Sequence, residues 1–313
     1  MLAKETFSFL SSDGITKIIC FAYLPSDKPA AVVQLIHGMC EYTERYEELA
    51  YFLNDNNIIL ISNDHIGHGR TVTSKEDYGY FGEMGSYKNL IEDTAKLTGT
   101  IKEKYQLPVI LFGHSMGAYI AQVYLSKYSE MVDGAILTGT GARNPVLPVG
   151  LMLSSIISKI KGSRFRSKLL YKMSNQSFNK GFEGGKTGFE WLSREQNICD
   201  KYAKDVMCNY IFTASAYYLL FKLYRKATDR NWAKYIQKDI PILVASGSND
   251  PVGSFGKGPK QVFKGLQKYN INSGLKIYPD ARHELTNETN RDQVYSDFIN
   301  YIYKNILKEG VIK

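Results

Sequence analysis

Four cysteines in 313 residues are too few to build a disulfide framework in a chain this long. Cys20, Cys40, Cys199 and Cys208 form no C-x-x-C pair and no Cys/His cluster with zinc-ligand spacing, so they read as reduced thiols. No apolar run approaches the ~20 residues that a membrane span needs. The opening stretch, residues 1–14, lacks the apolar segment of a secretory signal. These absences lead to the expectation of a cytoplasmic protein. There is no internal repeat and no low-complexity tract, which excludes solenoids and fibrous chains. Hydrophobic residues make up 44% and charged residues 22%, enough apolar material for a core and too much for a disordered chain.

Charge of one sign is concentrated. The chain carries a net +8, and residues 144–235 hold 16 Lys and Arg against 6 Asp and Glu, so the whole excess lies in that third. A basic surplus fits nucleic acid, an anionic membrane surface or an anionic substrate. No RNA- or DNA-binding motif accompanies it, so nucleic acid is not expected as a partner.

Short, nearly continuous apolar runs at Ala31–Ile36, Ile58–Ser62, Pro108–Phe112, Gly134–Thr138 and Ile240–Ala245 read as strands buried on both faces. Between them, Tyr42–Asn54, Tyr87–Tyr105 and Gly117–Tyr128 have helical spacing. Glu5–Leu10 and Thr16–Leu24 read as an opening strand pair, and Leu275–Tyr278 with a helix over Asp292–Leu307 closes the pattern. The alternation predicts an α/β chain with a mostly parallel sheet flanked by helices. The stretch 144–235 is too long for a loop and has helix-like segments at Gly150–Ile160 and Val206–Lys226. The expected organisation is a catalytic domain of residues 1–143 and 236–313, with 144–235 inserted as a helical cap.

Gly113-His114-Ser115-Met116-Gly117 matches G-x-S-x-G, with a buried strand before it and a helix after it. That turn is strained, and small flanking residues let backbone pass close to backbone. A serine at its apex needs a base. In this arrangement the partners follow in the order serine, acid, histidine. Of the five histidines, His37, His65, His68, His114 and His283, only His283 follows Ser115. The acid expected just after the preceding strand is Asp250, in Ser246-Gly247-Ser248-Asn249-Asp250-Pro251; Asp280 is the rival. Ser115, Asp250 and His283 are therefore the expected catalytic residues. Two backbone N–H groups should stabilise an oxyanion, those of Met39 and Met116. His37 reads as a hydrogen-bonding residue that shapes its loop. With Gly38 and His114 it is a candidate for the substrate-pocket wall. Asn63–Arg70 carries an aspartate and two histidines that could hold a cation. The interleaved glycines favour a tight hydrogen-bonded loop instead, and no metal or cofactor is expected. Cys40 adjoins an expected oxyanion donor, so bulky thiol reagents are expected to inhibit.

His37-Gly38-Met39-Cys40-Glu41, Arg45-Tyr46, Asp64–Thr71, Gly113–Gly117, Ser248–Val252 and Arg282-His283-Glu284 together resemble the monoacylglycerol lipase / lysophospholipase family. Trp191–Glu195 is similar to bacterial members. Two positions depart from the pattern: Tyr42 where the family usually has histidine, and Asp205-Val206 where Asp-Pro is usual. The resemblance implies the α/β-hydrolase fold and a serine carboxylesterase acting on single-chain lipid esters, with the cap bounding the acyl tunnel. It also supports Met39 and Met116 as oxyanion donors. The strongly apolar Val146–Ile160, followed by the basic run Lys159–Lys168, suits transient contact with a membrane surface. A solvated basic face is the alternative. A small-ester esterase or thioesterase of the same fold remains open, because fold and triad do not fix the substrate. A non-catalytic binding module is disfavoured by the intact order of serine, acid and histidine.

Overall fold

A computed structural model describes residues 3–308 except 85, 175 and 183. Eight strands form one sheet: β1 (Ala3–Leu10), β2 (Lys17–Leu24), β3 (Ala31–Ile36), β4 (Ile58–Asn63), β5 (Val109–His114), β6 (Gly134–Thr138), β7 (Ile242–Gly247) and β8 (Ser273–Tyr278). Their order is β1-β2-β4-β3-β5-β6-β7-β8. β1 pairs antiparallel with β2, and β2 antiparallel with β4. From β4 to β8 every pairing is parallel, with Gln34 opposite Leu111 and Leu137 opposite Val244.

The buried strands carry apolar side chains on both faces because helices cover both. Val32, Ile59, Leu111 and Leu137 face a core shared with α2 (Tyr87–Tyr105), α3 (Met116–Tyr128) and α8 (Lys257–Gln267). Their neighbours Val33, Leu60, Phe112 and Ile136 face the opposite core, with α1 (Glu47–Asp55) and α9 (Arg291–Tyr301). This alternation is the period-two geometry of a strand.

Between β6 and β7 the described residues contain helices and no strand: α4 (Leu147–Lys161), α5 (Lys168–Ser174), α6 (Gln196–Lys204) and α7 (Ala214–Ala227). α7 packs against both α3 and α4. The helix expected over Val206–Lys226 begins only at Ala214. Thr213 caps it, its hydroxyl accepting from the Ala216 N–H at 3.3 Å, which fixes the start. The closing helix is regular only to Tyr301, and Ile302–Leu307 continues as a wider π-type turn.

Each parallel strand ends at the same edge. His37-Gly38 follow β3, Asp64 follows β4, Ser115 follows β5, Asp250 follows β7 and His283 follows β8. Convergence of loops at the carboxyl edge is where such sheets build their sites.

Candidate active site

Ser115 joins β5 to α3 with φ 55° and ψ −118°, a conformation that costs a non-glycine residue energy. The turn closes because its neighbours are small. A Cβ on Gly117 would stand 1.8 Å from the Ile36 carbonyl oxygen, and one on Gly38 would stand 3.0 Å from Ser115 Cβ. Gly38 thus brings the loop after β3 directly against the serine. The strained turn aims the start of α3 at the same point, and Met116 leads that helix, where an N–H has no partner within the helix. The Met39 N–H, in the neighbouring turn, has no hydrogen-bond partner among the described residues. Both expected oxyanion donors therefore flank Ser115.

His283 Nδ1 lies 3.0 Å from Asp250 Oδ1, and both residues are buried. The carboxylate is acceptor-only, so Nδ1 donates and Nε2 is left to accept a proton. Asp250 also accepts the Val252 N–H at 2.9 Å, which fixes its own orientation. Burial opposes protonation of His283, but the Asp250 carboxylate outweighs it and holds the imidazole above its ordinary pKa. Asp280, the rival acid, is exposed in a turn, where its N–H is held by Ser248. Ser115 and His283 line one cavity of about 450 Å³. The structure thus brings together Ser115, His283 and Asp250, with the Met39 and Met116 amides beside the serine.

A buried ion network lies behind these residues. Arg45 donates from Nη1 and Nη2 to both oxygens of Glu284 at 2.8 Å, and from Nη1 to Glu41 at 2.9 Å. Glu41 also accepts from the Gly38 N–H and from Tyr46 Oη. One guanidinium therefore ties the loop after β3, which carries the expected oxyanion donor Met39, to the residue after His283. The fork faces Glu284, and Glu284 is held below the usual carboxylate range: burial works against ionisation, and Arg45 overcomes it. Burial, with the second carboxylate adding to it, pushes Glu41 up. Glu41, His114 and Glu284 bring three ligand-type atoms within 4.8 Å of one another, but Arg45 already supplies the cation there.

The loop 63–70 is held by its own hydrogen bonds. Asp64 accepts the N–H groups of Thr43 and Arg70 at 2.8 and 2.7 Å. His37 accepts the His65 N–H on Nε2, so its Nδ1 donates to the Gly38 carbonyl at 2.9 Å. His37 and Gly38 lie behind the cavity and do not line it. The His37 ring is spent on fixing the loop, and Gly38 serves close approach. His114 does line the cavity.

Burial, aided by neighbouring imidazoles, holds His65 and His114 down to about 3 and His37 well below its ordinary value; burial holds His68 down to about 4. Each stays neutral in the folded chain and takes up a proton only on unfolding. Their folded pKa values are depressed, so the stability they give is complete above about pH 6.5 and is lost as pH falls toward 4. Each such group lowers stability by about 1.4 kcal/mol per pH unit in that window, and the raised His283, protonated there in both the folded and the unfolded chain, does not offset them. Urea unfolding near pH 7.5 and near pH 5 should show a much lower midpoint in acid. Equal midpoints would contradict the assignment.

The Cys40 expectation changes. Its thiol is buried, donates to the Tyr210 carbonyl at 3.5 Å, and is pushed up by burial. Such thiols are inert, so a maleimide applied to the folded protein should leave ester hydrolysis unchanged. Rapid inhibition, abolished in Cys40→Ser, would reverse that conclusion.

Sequence reasoning gave no role to Arg45, Glu41 or Glu284. Their signal was available: an acid and a base four residues apart beside the oxyanion loop, and an acid directly after His283.

Residues 27–290 match the family described as serine aminopeptidase, S33 (Hydrolase_4). A monoglyceride lipase homolog of monkeypox virus is 28% identical over 93% of this chain and 92% of its own length. A monoacylglycerol lipase of Mycolicibacterium smegmatis is 24% identical over 97% of this chain and 98% of its own. Among solved structures, a thermostable carboxyl esterase from Bacillus coagulans, crystallised with glycerol, superposes with a TM-score of 0.91 at 28% identity, covering 98% of this chain and 100% of that one. The chain belongs to the serine aminopeptidase S33 family of α/β-hydrolases, within its monoacylglycerol lipase-like members, and is a serine ester hydrolase.

Proposed function

We propose that this enzyme hydrolyses single-chain lipid esters, monoacylglycerols or lysophospholipids, through an acyl-enzyme on Ser115, with residues 144–235 acting as the cap. The observation that carries the reading is the cavity. It starts at Ser115 and His283 and runs under α4 and α7, walled by Leu147, Gly150, Phe178, Leu220, Phe221 and Tyr224. Its size falls in the range of small-molecule sites, and its walls suit an acyl chain. The viral monoglyceride lipase homolog and the mycobacterial monoacylglycerol lipase support the same substrate class.

In the proposed mechanism Ser115 Oγ attacks the ester carbonyl while His283 Nε2 takes its proton. The Met39 and Met116 N–H groups hold the oxyanion, and Asp250 stabilises the imidazolium. His283 then gives the proton to the leaving alcohol. A water activated by His283 hydrolyses the acyl-enzyme by the reverse sequence.

The cap offers a route to lipid. α4 is buried along Gly150, Leu151, Ser154 and Ser158 and exposes Val149, Met152, Ile156 and Ile160 on its outer side. Phe165 and Leu169, in the stretch that follows α4, are exposed too, as are Lys159, Lys161, Lys168 and Lys172. An apolar strip edged by cations at the cavity rim supports docking on an anionic membrane surface. No helix among the described residues is long and apolar enough to cross a membrane. Flotation with phosphatidylserine vesicles should carry the wild type, and Met152→Glu with Ile156→Glu should abolish it. Equal flotation of both proteins would sink the docking reading.

A panel of 1-monoacylglycerol, lysophosphatidylcholine and a short-chain ester at equal concentration tests the substrate. Selective turnover of a long-chain lipid supports the proposal and identifies the head group. Turnover of the short ester alone leaves a small-ester esterase.

A further inference from the structure

The main chain around His283 is held by the segment Glu190–Arg194, which lies between β6 and β7 and outside the sheet. The His283 N–H donates to the Trp191 carbonyl at 3.3 Å, and the Glu284 N–H to the Leu192 carbonyl at 2.8 Å. Ser193 Oγ donates to the Asn287 carbonyl at 2.8 Å. Arg194 donates from Nε to Glu288 at 2.7 Å and from its backbone N–H to the same carboxylate at 3.2 Å. In return Arg282 reaches back to the Glu190 and Ser193 carbonyls at 2.5 and 2.9 Å. Glu288, fully buried, also accepts the Arg282 N–H at 2.7 Å. The Trp191 indole packs against the His283 ring, tilted by 42° with centroids 5.1 Å apart, and the His114 ring sits 4.7 Å from the same imidazole. The histidine follows β8 in the chain, yet its own N–H and that of the next residue are both spent on this segment.

We propose that Glu190–Arg194 is a positioning strap for His283, with Trp191 and Arg194 setting where the imidazole stands relative to Ser115. The inference rests on the reading of Ser115, Asp250 and His283 as the catalytic triad. Proton transfer tolerates little displacement: a shift of about 1 Å at a reacting group can cost roughly 100-fold. Asp250 fixes the tautomer through Nδ1, but one hydrogen bond leaves the ring free to swing about it. The indole face and the two backbone bonds remove that freedom. Trp191 also lines the cavity, whereas Arg194 does not. Arg194 therefore separates support of the base from contact with substrate. The strap also divides the insertion in two. The α4 edge meets lipid, while 190–194 belongs to the base and must stay seated during turnover.

The test uses p-nitrophenyl acetate, too short to fill the acyl cavity, with Ser115→Ala, Trp191→Ala, Trp191→Phe, Arg194→Ala and Arg194→Lys. Thermal midpoint and near-ultraviolet circular dichroism verify folding. Trp191→Ala and Arg194→Ala should lower kcat by roughly 10- to 100-fold with KM changed by less than about 3-fold. Trp191→Phe, which keeps an aromatic face over the imidazole, should retain most of kcat. Arg194→Lys, the variant to use if alanine there prevents folding, should fall between. Unchanged kcat in Arg194→Ala or Arg194→Lys, with only KM raised in Trp191→Ala, would make Trp191 a pocket wall and overturn the strap. Activity persisting in Ser115→Ala would instead overturn the triad on which the strap depends.

Discussion

Replacing Ser115 by alanine is expected to lower kcat/KM for ester hydrolysis by roughly 10⁴- to 10⁶-fold while leaving the thermal midpoint essentially unmoved. The size follows from the proposed role: a nucleophile without its hydroxyl forms no acyl-enzyme, and the proposed oxyanion donors alone give only residual catalysis. The unchanged stability follows from the site. Ser115 Oγ faces the cavity, and the backbone bonds that build the turn, from Ser115 N–H to the Thr138 carbonyl at 2.9 Å and from Ala118 N–H to the Ser115 carbonyl at 2.9 Å, do not involve the side chain. Loss of the strained φ of 55° is not expected either, because alanine meets the same constraint from Gly117 and Gly38. Steady-state kinetics with a soluble chromogenic ester gives the answer. A residual rate above about one hundredth of wild type would place the nucleophile elsewhere.

The second large effect is expected from Arg45→Met, a change of similar volume that removes the charge. Two buried carboxylates, Glu41 and Glu284, would lose their only cation within an ion-pair distance among the described residues. Breaking a buried pair by deleting one partner typically destabilises by about 3–5 kcal/mol, because the remaining charge is stranded. Here two are stranded at once, and one must take up a proton. The functional cost is separate. Glu41 holds the Gly38 N–H in the turn of the proposed oxyanion donor, and Glu284 adjoins the proposed base, so both halves of the site lose their common anchor. Activity should fall well below the folded fraction measured by unfolding. Arg45→Lys should recover part of the stability and little of the activity, because an ammonium cannot present the bidentate fork. If Arg45→Met kept both stability and kcat, the network would be incidental.

Much of the scaffold was legible because sheet-core strands are local signals. The apolar runs Ala31–Ile36 and Gly134–Thr138 coincide with β3 and β6 at both ends. The expected base followed from the order serine, acid, histidine, because His283 is the one histidine after Ser115. Contacts across long sequence separations were not legible. Arg45 and Glu284 are 239 residues apart, and Arg194 and Glu288 are 94 apart, so no window along the chain could join them. The helix start at Ala214 was misplaced because residues 206–212 contain apolar side chains, of which Phe212 is buried against His68 while Val206 is exposed. Spacing alone cannot separate that loop from a helix. Of the two positions that depart from the family pattern, Tyr42 has a defined partner, its Oη donating to Asp205 at 2.7 Å, while Val206 beside that aspartate is exposed. This bond joins the loop after β3 to the segment before α7, a link 163 residues long in sequence that no local pattern could reveal.

Ser115 is proposed as the nucleophile that receives a long acyl chain. The most direct test is labelling of the wild-type enzyme with a long-alkyl fluorophosphonate, followed by peptide mapping, with and without competing 1-monoacylglycerol. One adduct per chain is expected, on Ser115, formed in step with loss of activity and slowed by the monoacylglycerol. An adduct on another residue, or full labelling of Ser115 with hydrolysis intact, would contradict it.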